Sequence, residues 1–445
     1  MNPSAMPLAP PPAHAPRPAG PLQPGVRWRE VWAWAMYDFA NSGYTTVVIT
    51  AVFNAYFVAV VAGNAPWATF AWTAALGLSS LIVLLTAPVL GAWADAHAGK
   101  KKLLALSTLG CVLATASLAL AGPGGVVLAL GFLVLSNVCF GTGENLIAAF
   151  LPELATEDSL GKVSGWGWGL GYLGGLLSLA ACLAVIAWSQ AKGGQAADFV
   201  PWTMLLTAAL FALAALPTFA LLRERGTAVA PDAGQPALSA WQRTLDTLRQ
   251  ARRYRDMGRF MLCILFYQAG IQAVIALAAI YAEQAMGFGT AQTVQLIVAV
   301  NVAAALGAVA FGQWQDRIGH VRAIRLTLWG WLATVVLAWT AQTPAPFWAA
   351  ASLAGLCLGA SQSAARALVG YLAPPSRQAE FFGLWGLAVK GSAILGPMAY
   401  GLVTWLTNGN HRLALLAMGV YFLVGLWLLA GVDAQRGRQA ALAED

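Results

Sequence analysis

Charge is what this sequence has least of. Only 10% of its 445 residues are Asp, Glu, Lys or Arg, and 59% are hydrophobic. Soluble domains carry about 25% charged residues, so the composition excludes a string of soluble domains. The five cysteines, Cys111, Cys139, Cys182, Cys263 and Cys357, stand singly in apolar runs. No CxxC pair occurs, which argues against a zinc site or a disulfide framework and for small buried thiols. The four histidines, His14, His97, His320 and His411, fall in tails or loops. No apolar run therefore holds a His cluster, and none pairs a nucleophile with a base. A nucleotide-binding cassette is also missing. These absences argue against an enzyme, against any metal or cofactor, and against ATP as a driver. Gly169-Leu-Gly171-Tyr-Leu-Gly174 spells a dinucleotide fingerprint in letters alone, because it opens an apolar run with no strand before it. Gly171 and Gly175 read instead as a helix-packing face. Residues 1–25 are rich in Pro and Ala and lack the apolar core of a signal peptide, so 1–27 are expected to form a disordered cytoplasmic tail.

What the sequence has in quantity is the apolar run of about 20 residues, the length that crosses a bilayer. About twelve spans are expected. The first six are 31–61, 68–93, 102–121, 125–150, 165–189 and 200–222. The second six are 258–282, 291–314, 323–341, 346–372, 381–406 and 412–432. The fold class is therefore all-α and polytopic, with a six-helix half over 28–222, a linker over 223–257, a second six-helix half over 258–433 and a cytoplasmic tail over 434–445. The 19 tryptophans fit interfacial anchors. The net charge of +7 invites a nucleic-acid reading, but its distribution speaks for topology. With the N-terminus inside, one side of the membrane receives Lys100, Lys101, Lys102, Lys162, Arg317, Arg322, Arg325, Arg377 and the arginines of the linker. The opposite side receives Lys192 and Arg412. Basic residues concentrate on the cytoplasmic side, so both termini are expected there. In the linker, a helix starting near Ser239 would place Trp241, Leu245 and Leu248 on one face among Arg243, Arg249, Arg252, Arg253 and Arg255. Two readings stand: docking on anionic inner-leaflet lipid, or a solvated linker.

Four ionisable residues lie deep in apolar spans: Asp38, Glu144, Arg366 and Lys390. A charge there is expensive and marks a functional candidate. Counting about 1.5 Å per helical residue puts Asp38 about 9 Å from the nearer membrane face, Glu144 and Arg366 about 12 Å, and Lys390 about 13–14 Å. They form one layer, with acids in the first half and bases in the second. Either the layer binds a zwitterion or carries a proton, with Asp38 and Arg366 the stronger candidates, or it is a salt-bridge layer that closes a gate. Asn41-Ser42-Gly43 lets the first span loosen and expose backbone groups, or packs it through small residues. Asn145, Gln268, Gln272 and Gln362 are further candidates, facing a cavity or bonding a neighbouring helix.

The halves repeat weakly. Gly91-Ala-Trp-Ala-Asp95 follows span two and Gly312-Gln-Trp-Gln-Asp316 follows span eight. Glu144 precedes Pro152 by the same eight residues that separate Arg366 from Pro374. Parallel repeats of this kind are a transporter architecture. On these motifs the chain resembles the major facilitator superfamily. Gly312, Asp316, Arg317, Gly319 and Arg322 match its loop pattern. In the first copy Gly91 and Asp95 match, Ala96 replaces the basic residue, and Gly99 comes one position late before Lys100. A narrower resemblance, to the autophagy-related vacuolar effluxers and their bacterial relatives, rests on Tyr37-Asp38-Phe39-Ala40-Asn41-Ser42, Asn145, Leu151-Pro152-Glu153-Leu154-Ala155, Ser164-Gly165-Trp166-Gly167, Gly171-Tyr172-Leu173-Gly174-Gly175, Ala379-Glu380-Phe381-Phe382-Gly383-Leu384 and Leu395-Gly396-Pro397. Gln362 and Arg366 keep two letters of that branch's span-ten motif, whose serines around the Arg are lost here.

The resemblance implies a central cavity lined by spans one, four, seven and ten, which places three of the four charges on lining helices. It implies that Gly91, Asp95, Lys100, Gly312, Asp316 and Arg317 form gating loops. The expectation is a monomeric secondary transporter in a bacterial inner membrane, moving a small polar or zwitterionic, amino-acid-like solute by alternating access, with protons and membrane lipid as further partners. An exporter of amphiphiles and a non-transporting sensor or scaffold are the alternatives.

Overall fold

The computed structural model describes residues 20–226 and 254–443, apart from 287, 289 and 409. The linker helix expected near Ser239 lies outside the described residues. Among the described residues twelve long helices are seen, each an apolar run closed at its ends by polar or small residues. In the first half they are α1 (Trp28–Tyr44), α2 (Ala68–His97), α3 (Lys100–Ser117), α4 (Val126–Ala148), α5 (Leu160–Gln190) and α6 (Ala196–Leu221). In the second half they are α7 (Arg255–Met286), α8 (Thr290–Ile318), α9 (His320–Thr340), α10 (Pro344–Leu372), α11 (Gln378–Leu406) and α12 (His411–Ala430). Eleven are long and apolar enough to cross a membrane. The twelfth, α10, is as long, but Ser361, Gln362, Ser363 and Arg366 dilute its apolar run.

Before α12, the Asn410 side chain accepts the Leu413 backbone N–H. Before α6, Gln195 and Asp198 exchange reciprocal backbone bonds as a capping box. Helix α1 continues beyond Tyr44 through wider π-helical turns at Thr45–Ala51 and Phe57–Val61. Asn41, Ser42 and Gly43 themselves remain α-helical. Gly43 lies against Ser178, Gly171 against Asp38 and Ser42, and Gly175 against Thr46, so these glycines bring α1 and α5 together. All five cysteines are free, four of them buried.

Two flanking stretches are more ordered than tails. Residues 20–27 lie against the turn after α4: Gln23 donates from its backbone to Leu154 and from its side chain to Pro152 and Ala155. Within 434–445, a thirteenth helix, α13 (Ala434–Leu442), is capped by Asp433 and buries Gly437 and Ala441. The seam between the halves is made by α2 against α11 and by α5 against α8. Small residues permit the approach: Gly91 abuts Ala379 and Glu380, Gly383 abuts Ala87 and Pro88, and Gly161 and Gly165 abut Gly312 and Ala308.

Candidate functional site

The four deep charges meet in two pairs, and each pair joins the halves. Arg366 of α10 reaches across the seam with Nη1 2.7 Å from Asp38 Oδ2 of α1. Its other nitrogens are also taken. Nε donates to Ser164 Oγ at 3.1 Å and Nη2 to the Ser164 carbonyl at 2.9 Å, both on α5. The guanidinium stands 4.6 Å from the Trp34 ring and 5.4 Å from that of Trp168, near enough for cation–π attraction. Trp34 is oriented by its own bond from Nε1 to the Ile147 carbonyl, 2.8 Å. Gly167 leaves room for the pair, since a Cβ there would lie 2.5 Å from both Asp38 Oδ2 and Arg366 Nη2. Arg366 thus has a partner for each group that needs one, in a site where only 2% of its side chain and 11% of that of Asp38 are exposed.

The second pair is looser. Lys390 Nζ of α11 is 3.6 Å from Glu144 Oε2 of α4, with 13% and 25% of the two side chains exposed. The ammonium lies 5.4 Å from the Phe140 ring. Gly141, one helical turn from Glu144, lets the Lys390 stem approach: a Cβ there would meet its Cε at 3.2 Å. This pair keeps donors and acceptors available to a third group, which the first does not.

The amides divide between the two surroundings. Asn145 is buried against Gly386 of α11, one turn from Lys390, and its Nδ2 has no hydrogen-bond partner among the described residues. Asn41 is buried, with its Oδ1 likewise unpartnered. Gln268 donates to Gln362 Oε1 at 2.7 Å, tying α7 to α10. Gln272 is half-buried one turn further along α7.

The repeated loop motifs close the same side of the molecule, where the basic clusters lie. Asp95, at the end of α2, accepts from the backbone N–H groups of Ala379 and Glu380, the first turn of α11, at 3.1 and 2.9 Å. Asp316, at the end of α8, accepts from Gly161 and Lys162, the first turn of α5, both at 2.9 Å. Each aspartate thus satisfies the free donors of a helix start in the opposite half, where a negative charge is favoured. Gly91 and Gly312 supply the close backbone contact beside each. Lys100 pairs with Glu153 at 2.8 Å and with Asp95 at 3.5 Å. The position three residues after each aspartate has a positive φ in both copies, but the turns differ: Ala98 is left-handed helical (φ 46°, ψ 49°) and Gly319 is extended in ψ (φ 90°, ψ 147°). Arg317 is exposed.

Sequence reasoning passed over several members of this arrangement. In the sequence Ser164 and Gly167 are only letters of a motif. Trp34 and Trp168 carried no signal beyond their residue type. The cross-half ion pair of Arg438 with Glu157 was unforeseen because Arg438 sits in what was expected to be a tail. Its Nε donates to Glu157 Oε1 at 2.9 Å, and its Nη1 donates to the carbonyls of Tyr371 and Ala373.

Comparison with known proteins places this architecture. Residues 57–442 match the family model described as vacuole effluxer Atg22 like. An MFS-type transporter of Bacillus subtilis, YxiO, is 28% identical over 408 residues, covering 90% of this chain and 94% of that one. Autophagy-related protein 22-1 of Aspergillus fumigatus is 25% identical over 334 residues, covering 68% of this chain. The match spans only 54% of the fungal protein's length. Among solved structures, the human organic anion transporter MFSD10 superposes with a TM-score of 0.71 at 16% identity, covering 90% of this chain and 99% of that one. The fucose transporter FucP in an outward conformation gives 0.69 at 15% identity, covering 91% and 98%. The two-half helical fold, the paired loop motifs and the family match agree: the chain belongs to the Atg22-like family and is a membrane transporter of the major facilitator type.

Proposed function

We propose that the protein is a secondary active transporter that moves a small zwitterionic, amino-acid-like solute by alternating access, in a bacterial inner membrane with its basic face cytoplasmic. The observation that carries this reading is the unequal make-up of the two cross-half ion pairs. Asp38–Arg366 is saturated and sealed, which suits a gate that must break for the halves to part. Glu144–Lys390 is less enclosed, with an acid for an ammonium and a base for a carboxylate. Such a pair can exchange its mutual contact for contacts with a zwitterion, so binding weakens one tie across the seam. Asn145, the residue after Glu144 and buried with an unpartnered Nδ2 among the described residues, adds a donor for the carboxylate. In this reading Asp95 and Asp316 act as symmetric latches on the cytoplasmic side, and transport is coupled to protons.

The test is reconstitution into liposomes with an internal pH dye and a panel of amino acids and small metabolites. Proton movement that depends on one zwitterionic solute supports the reading. Movement driven by amphiphiles, or by nothing in the panel, counts against it.

A further inference from the structure

An apolar groove of about 520 Å³ runs along the membrane-facing surface at the seam between the halves. Trp28 and Trp32 of α1, Trp166 and Leu173 of α5, and Leu306 and Val309 of α8 are among its walls. Trp28, Trp32, Leu173 and Leu306 are each about half exposed. The helices that form it cross the membrane, so it faces hydrocarbon. Its end at the basic face is built differently from its length. The Trp28 and Trp166 rings meet with centroids 5.0 Å apart, and Lys162 Nζ stands 5.3 Å from the Trp166 ring. Exposed Arg27 and Arg29 flank Trp28 in the chain. Exposed Arg317 follows Asp316, which itself accepts the Lys162 backbone N–H. Acids lie near these cations too: Asp158 one turn before Lys162, Asp316 itself, and Glu30, whose carboxylate accepts the Arg27 backbone N–H and pairs with Arg225. Lys162 therefore stands at one end of an apolar slot, with Arg27 and Arg29 beside Trp28 and Arg317 beside Asp316 in the chain; tryptophans anchor at membrane interfaces, and basic pockets between helices collect anionic lipid.

We propose that this groove is a binding site for one anionic phospholipid, with an acyl chain along α1, α5 and α8 and the phosphate among Arg27, Arg29, Lys162 and Arg317. The proposal rests on the groove and its charges alone and is independent of the transport reading. Two walls belong to one half and the third to the other, so the lipid would bridge the seam.

The test is native mass spectrometry of the purified full chain, titrated with phosphatidylglycerol and with phosphatidylcholine of identical acyl chains. Wild type is expected to retain phosphatidylglycerol in preference. Lys162→Gln should reduce that preference by about fivefold, the effect of one basic residue at a membrane surface. Leu173→Trp should fill the groove and reduce retention of both lipids, and Leu173→Ala, which fills nothing, should leave it. Inorganic phosphate should not displace the lipid, because it has no chain for the groove. Thermal melts of the same samples check folding. Equal retention of the two lipids by wild type, or unchanged retention in Leu173→Trp alongside wild-type melting, would overturn the proposal. If Leu173→Trp does not fold, Lys162→Gln with unchanged preference does so.

Discussion

Asp38–Arg366 and Glu144–Lys390 are alike in sequence logic and unlike in structure. Each sets an acid of the first half against a base of the second, within one layer. The first is walled in by two tryptophans and a serine and shows almost nothing to solvent. The second has longer contact distance, fewer ties and more exposure. The difference teaches that depth in a membrane helix marks a candidate charge without saying what it does. A charge whose every hydrogen-bonding group is met by protein has nothing left for a solute. A charge held by one long contact does.

The sharpest way to break this comparison is to remove one partner from each pair. Arg366→Gln leaves Asp38 buried without its counter-charge, which typically costs about 3–5 kcal/mol. A large drop in melting temperature and yield is expected, and Asp38→Asn added to it should restore much of the loss. Lys390→Gln leaves Glu144 with a quarter of its side chain exposed, so it should cost less than Arg366→Gln. Folded protein should be recovered near wild-type yield while solute uptake is lost. Equal destabilisation by the two single variants would erase the distinction.

A smaller effect is expected from Arg438→Glu. Glu157 is half exposed, so stability should change by less than about 1 kcal/mol. Because the pair fastens α13 of the second half to the turn before α5 of the first, repulsion there should favour opening of the basic face. Maleimide labelling of a cysteine placed at Ser363, buried beside Ser164, would report this as faster modification from that side. Ala98→Gly should bring a small net gain, because the left-handed turn it occupies penalises a Cβ by about 1–2 kcal/mol while glycine's added chain entropy costs about 0.5–1 kcal/mol. A small rise in melting temperature is the readout.

Much of the fold was legible because a membrane leaves few alternatives: apolar runs of sufficient length must be helices, and basic residues mark one side. The repeat of Gly91–Asp95 and Gly312–Asp316 was legible as spacing, and their use as caps for helices across the seam follows the chemistry of a carboxylate at a helix start. The candidate layer Asp38, Glu144, Arg366 and Lys390 was legible as depth. Which acid meets which base was not, since the internal repeat aligns Glu144 with Arg366 while the fold pairs each with a residue of another span. Nor did the sequence disclose that Ser164 and Gly167 build the pocket for Arg366, because a serine and a glycine in a glycine-rich helix read as packing. The stretch after α12 read as a tail because its nine-residue helix is short and polar, and its order comes from tertiary ties to Asp256, Tyr371 and Glu157.

The central claim is a division of labour: one pair gates, the other holds solute. It is tested most directly by equilibrium binding, by calorimetry in detergent, of the solute that the liposome panel identifies to the two doubly neutralised proteins. The account predicts that Glu144→Gln/Lys390→Gln loses binding and that Asp38→Asn/Arg366→Gln retains it. Retention by the first and loss by the second, with both proteins folded, would contradict it.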